Sequence, residues 1–407
     1  MYDFATIGAW MEFAVRWLHV ITAIAWIGSS FYFIALDLGL HRDRNLASGA
    51  DGEEWQVHGG GFYHIQKYLV APDQMPGDLV WFKWESYWTW ISGFALLTIV
   101  YYFGAEFYLV DPSVADIAGW QAIGISILSL VLGWVAYDQI CKSPIGKNMN
   151  LLMVVLFVII VLMALFYTSV FSGRAAMLHL GAFTATIMTG NVVNIIIPNQ
   201  KIVVADLLAG RKPDPKYGYI AKQRSTHNNY LTLPVLFLML SNHYPLAFAS
   251  EYNWLIASLV FLMGVTIRHF FNTMHARKGN PHWTWLATAI LFIIVMWLST
   301  APLYRDDPVE EAQGAALRYA EAEGFDEVHD IVLGRCSMCH AAEPGYGPFL
   351  WPPKNVRLET ADQIARQARA IYLQAGVTHA MPPANLSYME EEERAAIRRW
   401  FRAAEEG

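Results

Sequence analysis

The chain has 407 residues, of which 55% are hydrophobic, 14% aromatic and only 15% charged. Soluble domains carry about a quarter charged residues, so the deficit argues against an ordinary soluble protein and for a membrane one. The net charge of −7 gives no hint of nucleic-acid binding, and three cysteines provide no disulfide framework.

Blocks long enough to cross a hydrocarbon core, which takes about 20 residues, fall near Ile7–Leu36, Tyr87–Phe103, Ile117–Tyr137, Leu151–Phe171, Ala175–Ile197, Tyr230–Ser241, Trp254–Phe271 and Trp283–Leu298. The sixth is short and interrupted by Pro234, with a possible earlier start around Thr226. Eight spans put both chain ends on one side. The loops after spans 1, 3, 5 and 7 hold Arg42, Arg44, Lys142, Lys147, Lys212 and Arg277 among other cations, whereas the opposite loops hold little beyond Arg174. By the positive-inside rule the first group is cytoplasmic and both termini face outward, which in a bacterial inner membrane is the periplasm. No basic n-region or small-residue cleavage site precedes span 1, so it reads as a retained helix.

Polar residues in such blocks are costly without a role. Span 1 carries Arg16-Trp17-Leu18-His19 and then Trp26-Ile27-Gly28, and span 5 opens with Met177-Leu178-His179. His19 and His179 both fall in the outer half, which suits two axial ligands of a b-type haem; ordinary interhelical hydrogen bonds are the alternative. The long loop after span 1, with His58, Gly59, Gly60, Gly61 and His64, is expected to cap a site or bind a partner. On the cytoplasmic side Arg224-Ser225-Thr226-His227-Asn228-Asn229-Tyr230 leads into span 6, while Asn191, Asn194, Asn199 and Gln200 close span 5. Carboxamides and a guanidinium suit a flat heterocycle with alternating donors and acceptors, and helix capping is the plain alternative. His269 beside Arg268 is a further candidate.

After Tyr304 the composition becomes that of a small soluble domain. Cys336-Ser337-Met338-Cys339-His340 fits covalent attachment of a c-type haem, with His340 reaching the iron. A zinc site would want four ligands, and a redox dithiol a strand–helix–strand setting. Met381, in His379-Ala380-Met381-Pro382-Pro383, suits the remaining axial position, with His379 its rival. Thr360–Gln363 and Ser387–Glu390 read as capping boxes, each opening a helix. Ile397, Trp400 and Phe401 share one face of the last helix. At about 90 residues this part has a thin core, which a macrocycle would fill. It resembles class I cytochromes c from Ala316 to Glu406. The expected architecture is all-α: a polytopic membrane helix bundle over residues 1–303, a linker over 304–315, and a periplasmic cytochrome c domain over 316–407.

An eight-span module joined to one cytochrome c resembles the bacterial membrane-bound urate oxidases, also called urate hydroxylases. The likeness is carried by Arg16–His19 through Gly28, Arg224–Pro234 and Ser241-Asn242-His243-Tyr244-Pro245. The span 1 pattern is also similar to small membrane haem proteins of the copper-resistance and protoporphyrinogen-oxidase type, which adds weight to His19 as a ligand. The resemblance implies oxidation of urate to 5-hydroxyisourate, with electrons passed through haem c to a respiratory acceptor such as cytochrome c oxidase or a soluble cytochrome. Residue type and clustering then nominate Arg224, Asn228 and Asn229 to hold the urate anion and His227 as base. A pocket near the outer face lined by His179, Asn242 and His243 is the alternative. Two rival functions remain: a quinol-oxidising electron conduit, and a membrane tether for a cytochrome.

Overall fold

Lipid offers the backbone no hydrogen-bond partners, so apolar blocks close their own as helices. The computed structural model describes residues 4–68, 77–112, 114–300, 316–346 and 351–406. Its bundle comprises α1 (Phe4–Gly39), α2 (Trp84–Leu97), α3 (Gly119–Lys142), α4 (Met149–Thr168), α5 (Gly173–Gly190), α6 (Ile197–Leu208), α7 (Pro215–Leu240), the short α8 (Pro245–Phe248), α9 (Asn253–His275) and α10 (Trp283–Thr300). Among the described residues six stretches are long and apolar enough to cross a membrane: Thr6–Gly39, Gly119–Lys142, Met149–Thr168, Gly173–Leu208, Asn253–His275 and Trp283–Thr300. The second and sixth expected spans are helical but outside that set. α2 has 14 residues, and α7 carries Lys216, Lys222, Arg224 and His227.

Two expected boundaries move. The fifth span does not end at Ile197: a wide π turn over Asn191–Ile196 joins α5 to α6, so the helix runs on past Asn199 and Gln200. Pro198 explains the turn, because it has no N–H to donate and its ring crowds the carbonyl four residues earlier. The sixth span begins not near Tyr230 but at Pro215, where the Asp214 carboxylate accepts from the Lys216 N–H at 2.9 Å and proline suits the first helical position. Further along α7, Pro234 lies against α9, and a Cβ on Gly264 would stand 2.4 Å from the Pro234 Cδ. Only a glycine permits that approach.

The all-α expectation misses one element. The loop after α1 folds into an antiparallel hairpin, β1 (Ala50–His58) and β2 (Gly61–Tyr68). Its two-residue turn is Gly59-Gly60, with φ of 60° and 79°, the backbone that a tight hairpin requires and glycine alone adopts freely. The hairpin is fastened where α1 and α9 end and α7 begins. Lys67 pairs with Asp37, Lys222 reaches the same carboxylate at 3.1 Å, and Arg277 Nη1 donates to His41 Nδ1 at 2.6 Å.

The tail has its own core, built from α11 (Leu317–Ala320), α12 (Phe325–Arg335), α13 (Ser337–His340), α14 (Ala361–Arg366), α15 (Ala368–Ile371) and α16 (Glu391–Glu406). Ile397, Trp400 and Phe401 are buried together as expected, and Phe401 stacks on Tyr372 at 4.3 Å. Thr360 caps α14 by accepting from the Gln363 N–H. The second capping box does not form: α16 starts at Glu391, and it is Glu393 that reaches back to the Glu390 N–H at 2.7 Å. The expected linker, 304–315, lies outside the described residues. The tail meets the bundle through Tyr319, edge-on to Phe107 at 5.8 Å. Beside it Arg369 and Leu373 share a cleft with Glu12, Arg16 and Tyr108.

Candidate functional site

Three polar groups interrupt the apolar bundle, and α7 supplies two of them from opposite faces. On the face toward α3 and α5, the buried Arg224 donates through Nη2 to Asp138 Oδ1 at 2.8 Å and through Nη1 to Asn191 Oδ1 at 3.3 Å. Its guanidinium lies 4.9 Å over the Tyr137 ring. Asn191 Nδ2 in turn donates to the Tyr137 hydroxyl and to Asn228 Oδ1, both at 3.0 Å. His227 Nδ1 and the Tyr137 hydroxyl share a hydrogen bond of 2.7 Å, and Asn228 Nδ2 donates to the Met188 carbonyl. Three sequence candidates, Arg224, His227 and Asn228, are therefore neighbours. Asp138 pairs with Arg224 and, through its other oxygen, with Lys142 at 2.6 Å. His227 Nε2 is buried without a partner.

Asn229, the fourth candidate, faces the other way. Its Oδ1 accepts from Asn272 Nδ2 at 2.9 Å and from Arg268 Nε at 3.3 Å, while Arg268 Nη2 donates to Asn272 Oδ1 at 3.0 Å. The Arg268 guanidinium sits 4.0 Å over the Phe31 ring of α1. Arg268 is only 5% exposed and, among the described residues, has no carboxylate partner. Glu54 of the hairpin and His275 meet at Gly39, where a Cβ would stand 3.2 Å from Glu54 Oε2 and 3.7 Å from the His275 carbonyl. Glu54 Oε2, His275 Nδ1 and Asn229 Nδ2 are all buried without hydrogen-bond partners. His269, singled out from sequence, is exposed and contacts Tyr230 at 3.3 Å; its neighbour Arg268 is the buried one. The readable sign was a lone arginine in an apolar 23-residue helix. Asp138, also overlooked, carried the same sign near the end of α3.

The third group surrounds His179, which is fully buried among Tyr101, Tyr167 and Phe171. Its Nδ1 bonds to the Ala175 carbonyl at 2.7 Å and its Nε2 to Ser126 Oγ at 2.9 Å. Both ring nitrogens are thus spent on protein. His19 packs against α2, with Nδ1 on the Thr89 carbonyl at 3.0 Å and Ser92 Oγ at 3.1 Å. His179 thus has a protein partner at each ring nitrogen, whereas His19, with Nδ1 on the Thr89 carbonyl, keeps Nε2 without a protein partner among the described residues. At the outer end Asn242 Oδ1 accepts from the Tyr101 hydroxyl at 3.0 Å, and His243 is exposed.

The tail residues do fit a covalent haem. His340 Nδ1 is 2.7 Å from the Val356 carbonyl, so it donates there and leaves Nε2 for a metal, the usual arrangement behind a ligating imidazole. Cys336 and Met381 border the same apolar core. The buried Arg394 fixes the Met381 segment by donating to the carbonyls of Met381 at 2.9 Å and Ala375 at 2.6 Å. Burial, aided by the neighbouring Cys339, pushes the Cys336 thiol up to about 12, and burial also raises Cys339. A redox dithiol needs the opposite shift. His379 is exposed beside Glu391 at 3.7 Å, which weakens it as a rival to Met381. Among the described residues no group of three His, Cys, Asp or Glu side chains is gathered to hold a metal ion.

A family model described as urate oxidase N-terminal matches residues 5–299. Searches of curated proteins and of solved structures find no match.

Proposed function

The chain belongs to the urate oxidase N-terminal family, and from that membership we propose that the bundle oxidises urate to 5-hydroxyisourate and that the tail carries the electrons away. In this reaction the urate monoanion takes up water at C5 and gives up two electrons and one proton. A haem c held by Cys336, Cys339, His340 and Met381 supplies one-electron acceptance when bound. The observation that carries the reading is the seating of the tail on the matched bundle through Phe107, Tyr319 and Arg318, which puts the two modules in direct contact. The basic loops support a bacterial inner-membrane location with the tail on the periplasmic side, where c-type haem is attached and a respiratory acceptor is within reach. The Arg224–Asp138 group then serves to position α7, whose next polar residue faces Arg268.

A second reading has one observation in its favour. A cavity of about 350 Å³, almost wholly apolar, is lined by Leu132, Leu156, Met163 and Phe183 and reaches Tyr137; it suits the prenyl chain of a quinol. Oxidised membranes under anaerobic conditions separate the readings. Urate alone is expected to raise the reduced haem α-band. A band raised by quinol and not by urate replaces the proposal with quinol oxidation, and no band with either leaves a tethered cytochrome.

A further inference from the structure

We propose that Arg268, with Asn229 and Asn272, is the recognition site for the urate anion, an assignment that rests on the function proposed above. A guanidinium is never neutral in a protein, and a buried cation without a counter-charge is retained only where something offsets it. Arg224 and Arg268 differ on this point. The first is paired with Asp138 at 2.8 Å; the second rests on a phenyl face and two carboxamides, none of which carries charge. Among the described residues Arg268 Nη1 has no hydrogen-bond partner.

The polarity of the surroundings matches urate in detail. Urate accepts hydrogen bonds at its carbonyl oxygens and deprotonated nitrogen and donates them from its remaining N–H groups. Arg268 Nη1 and the unpartnered Asn229 Nδ2 supply donors, and the unpartnered Glu54 Oε2, a carboxylate near Arg268 but not paired with it, supplies an acceptor for a urate N–H. His275 Nδ1, also unpartnered, serves either sense according to its tautomer. Phe31, Asn272, His275 and Glu54 are only half-buried, so the group is reached from the end of the bundle that the hairpin covers, about 28 Å along α1 from the tail contact at Glu12, a distance electrons must cross. The Arg224 group also holds unpartnered atoms, Arg224 Nε and His227 Nε2, but its guanidinium has a carboxylate beside it and its carboxamides donate to protein acceptors.

The test is equilibrium dialysis of labelled urate against the full-length protein, pre-reduced with dithionite so that urate binds without losing electrons. Arg268→Met is expected to weaken binding about 100-fold, the loss of roughly two charge-assisted hydrogen bonds, and Arg268→Lys by less. Because Arg268→Met risks misfolding, Asn229→Asp is the second variant. It supplies Arg268 with an internal counter-charge, so it should keep or raise thermal stability while weakening urate binding tenfold or more. If both variants bind urate as the wild type does, the assignment is wrong and the function stands. If the wild type neither binds nor is reduced by urate, the function reading fails and takes the assignment with it.

Discussion

Asp138→Asn is expected to remove most of the folded protein. Arg224 is 1% exposed and Asp138 3%, and they meet at 2.8 Å inside an apolar bundle. Removing one member of such a pair strands the other charge and costs about 3–5 kcal/mol, a large part of the roughly 5–15 kcal/mol that holds a typical domain together. Lys142, which binds the second Asp138 oxygen at 2.6 Å, loses its partner as well but reaches solvent, so its share is small. The double variant Asp138→Asn with Arg224→Gln leaves no buried charge and should recover most of the loss. Thermal unfolding in detergent, followed by tryptophan fluorescence, measures both variants. A single variant that melts like the wild type would show that the pair is not sealed from water.

Replacing Cys336 and Cys339 together by serine is expected to abolish covalent haem, seen as loss of in-gel haem staining, and with it the urate-driven α-band. The tail itself should loosen. Its sealed core rests on a few residues such as Val328, Val332, Ile364, Ile397 and Trp400, little apolar mass for a domain of about 90 residues. The bundle should keep its fold and, in the dialysis experiment, its urate binding. Haem staining that survives the double replacement would remove the tail from the electron path.

Much of this was legible in the residues. Long apolar periodicity located the bundle helices, because lipid leaves the backbone no other choice, and the shared face of Ile397, Trp400 and Phe401 located the buried side of the last helix. The hairpin was missed although its signal was plain: Gly59-Gly60 between Trp55-Gln56-Val57 and Phe62-Tyr63 is a turn flanked by alternating side chains. The site was half legible. Carboxamide density on α7 was visible, but which carboxamide faces which arginine depends on a 100° rotation per residue. One step along the helix parts Asn228 from Asn229. Nor does sequence say whether an arginine has a carboxylate beside it, and that separates Arg224 from Arg268. The hydrogen bonds of His179 to Ala175 and Ser126 are lateral and leave no trace in spacing.

The π turn before Pro198 sets the angular phase between α5 and α6. A π turn absorbs one extra residue per turn, so everything beyond it is displaced by about one helical position relative to an unbroken helix. Asn191 opens that turn, and its reach to Arg224, Tyr137 and Asn228 holds only in this phase. A relative in which a one-residue deletion and the loss of Pro198 occurred together would regain a regular helix with both ends in place. It would also point a different side chain at Arg224.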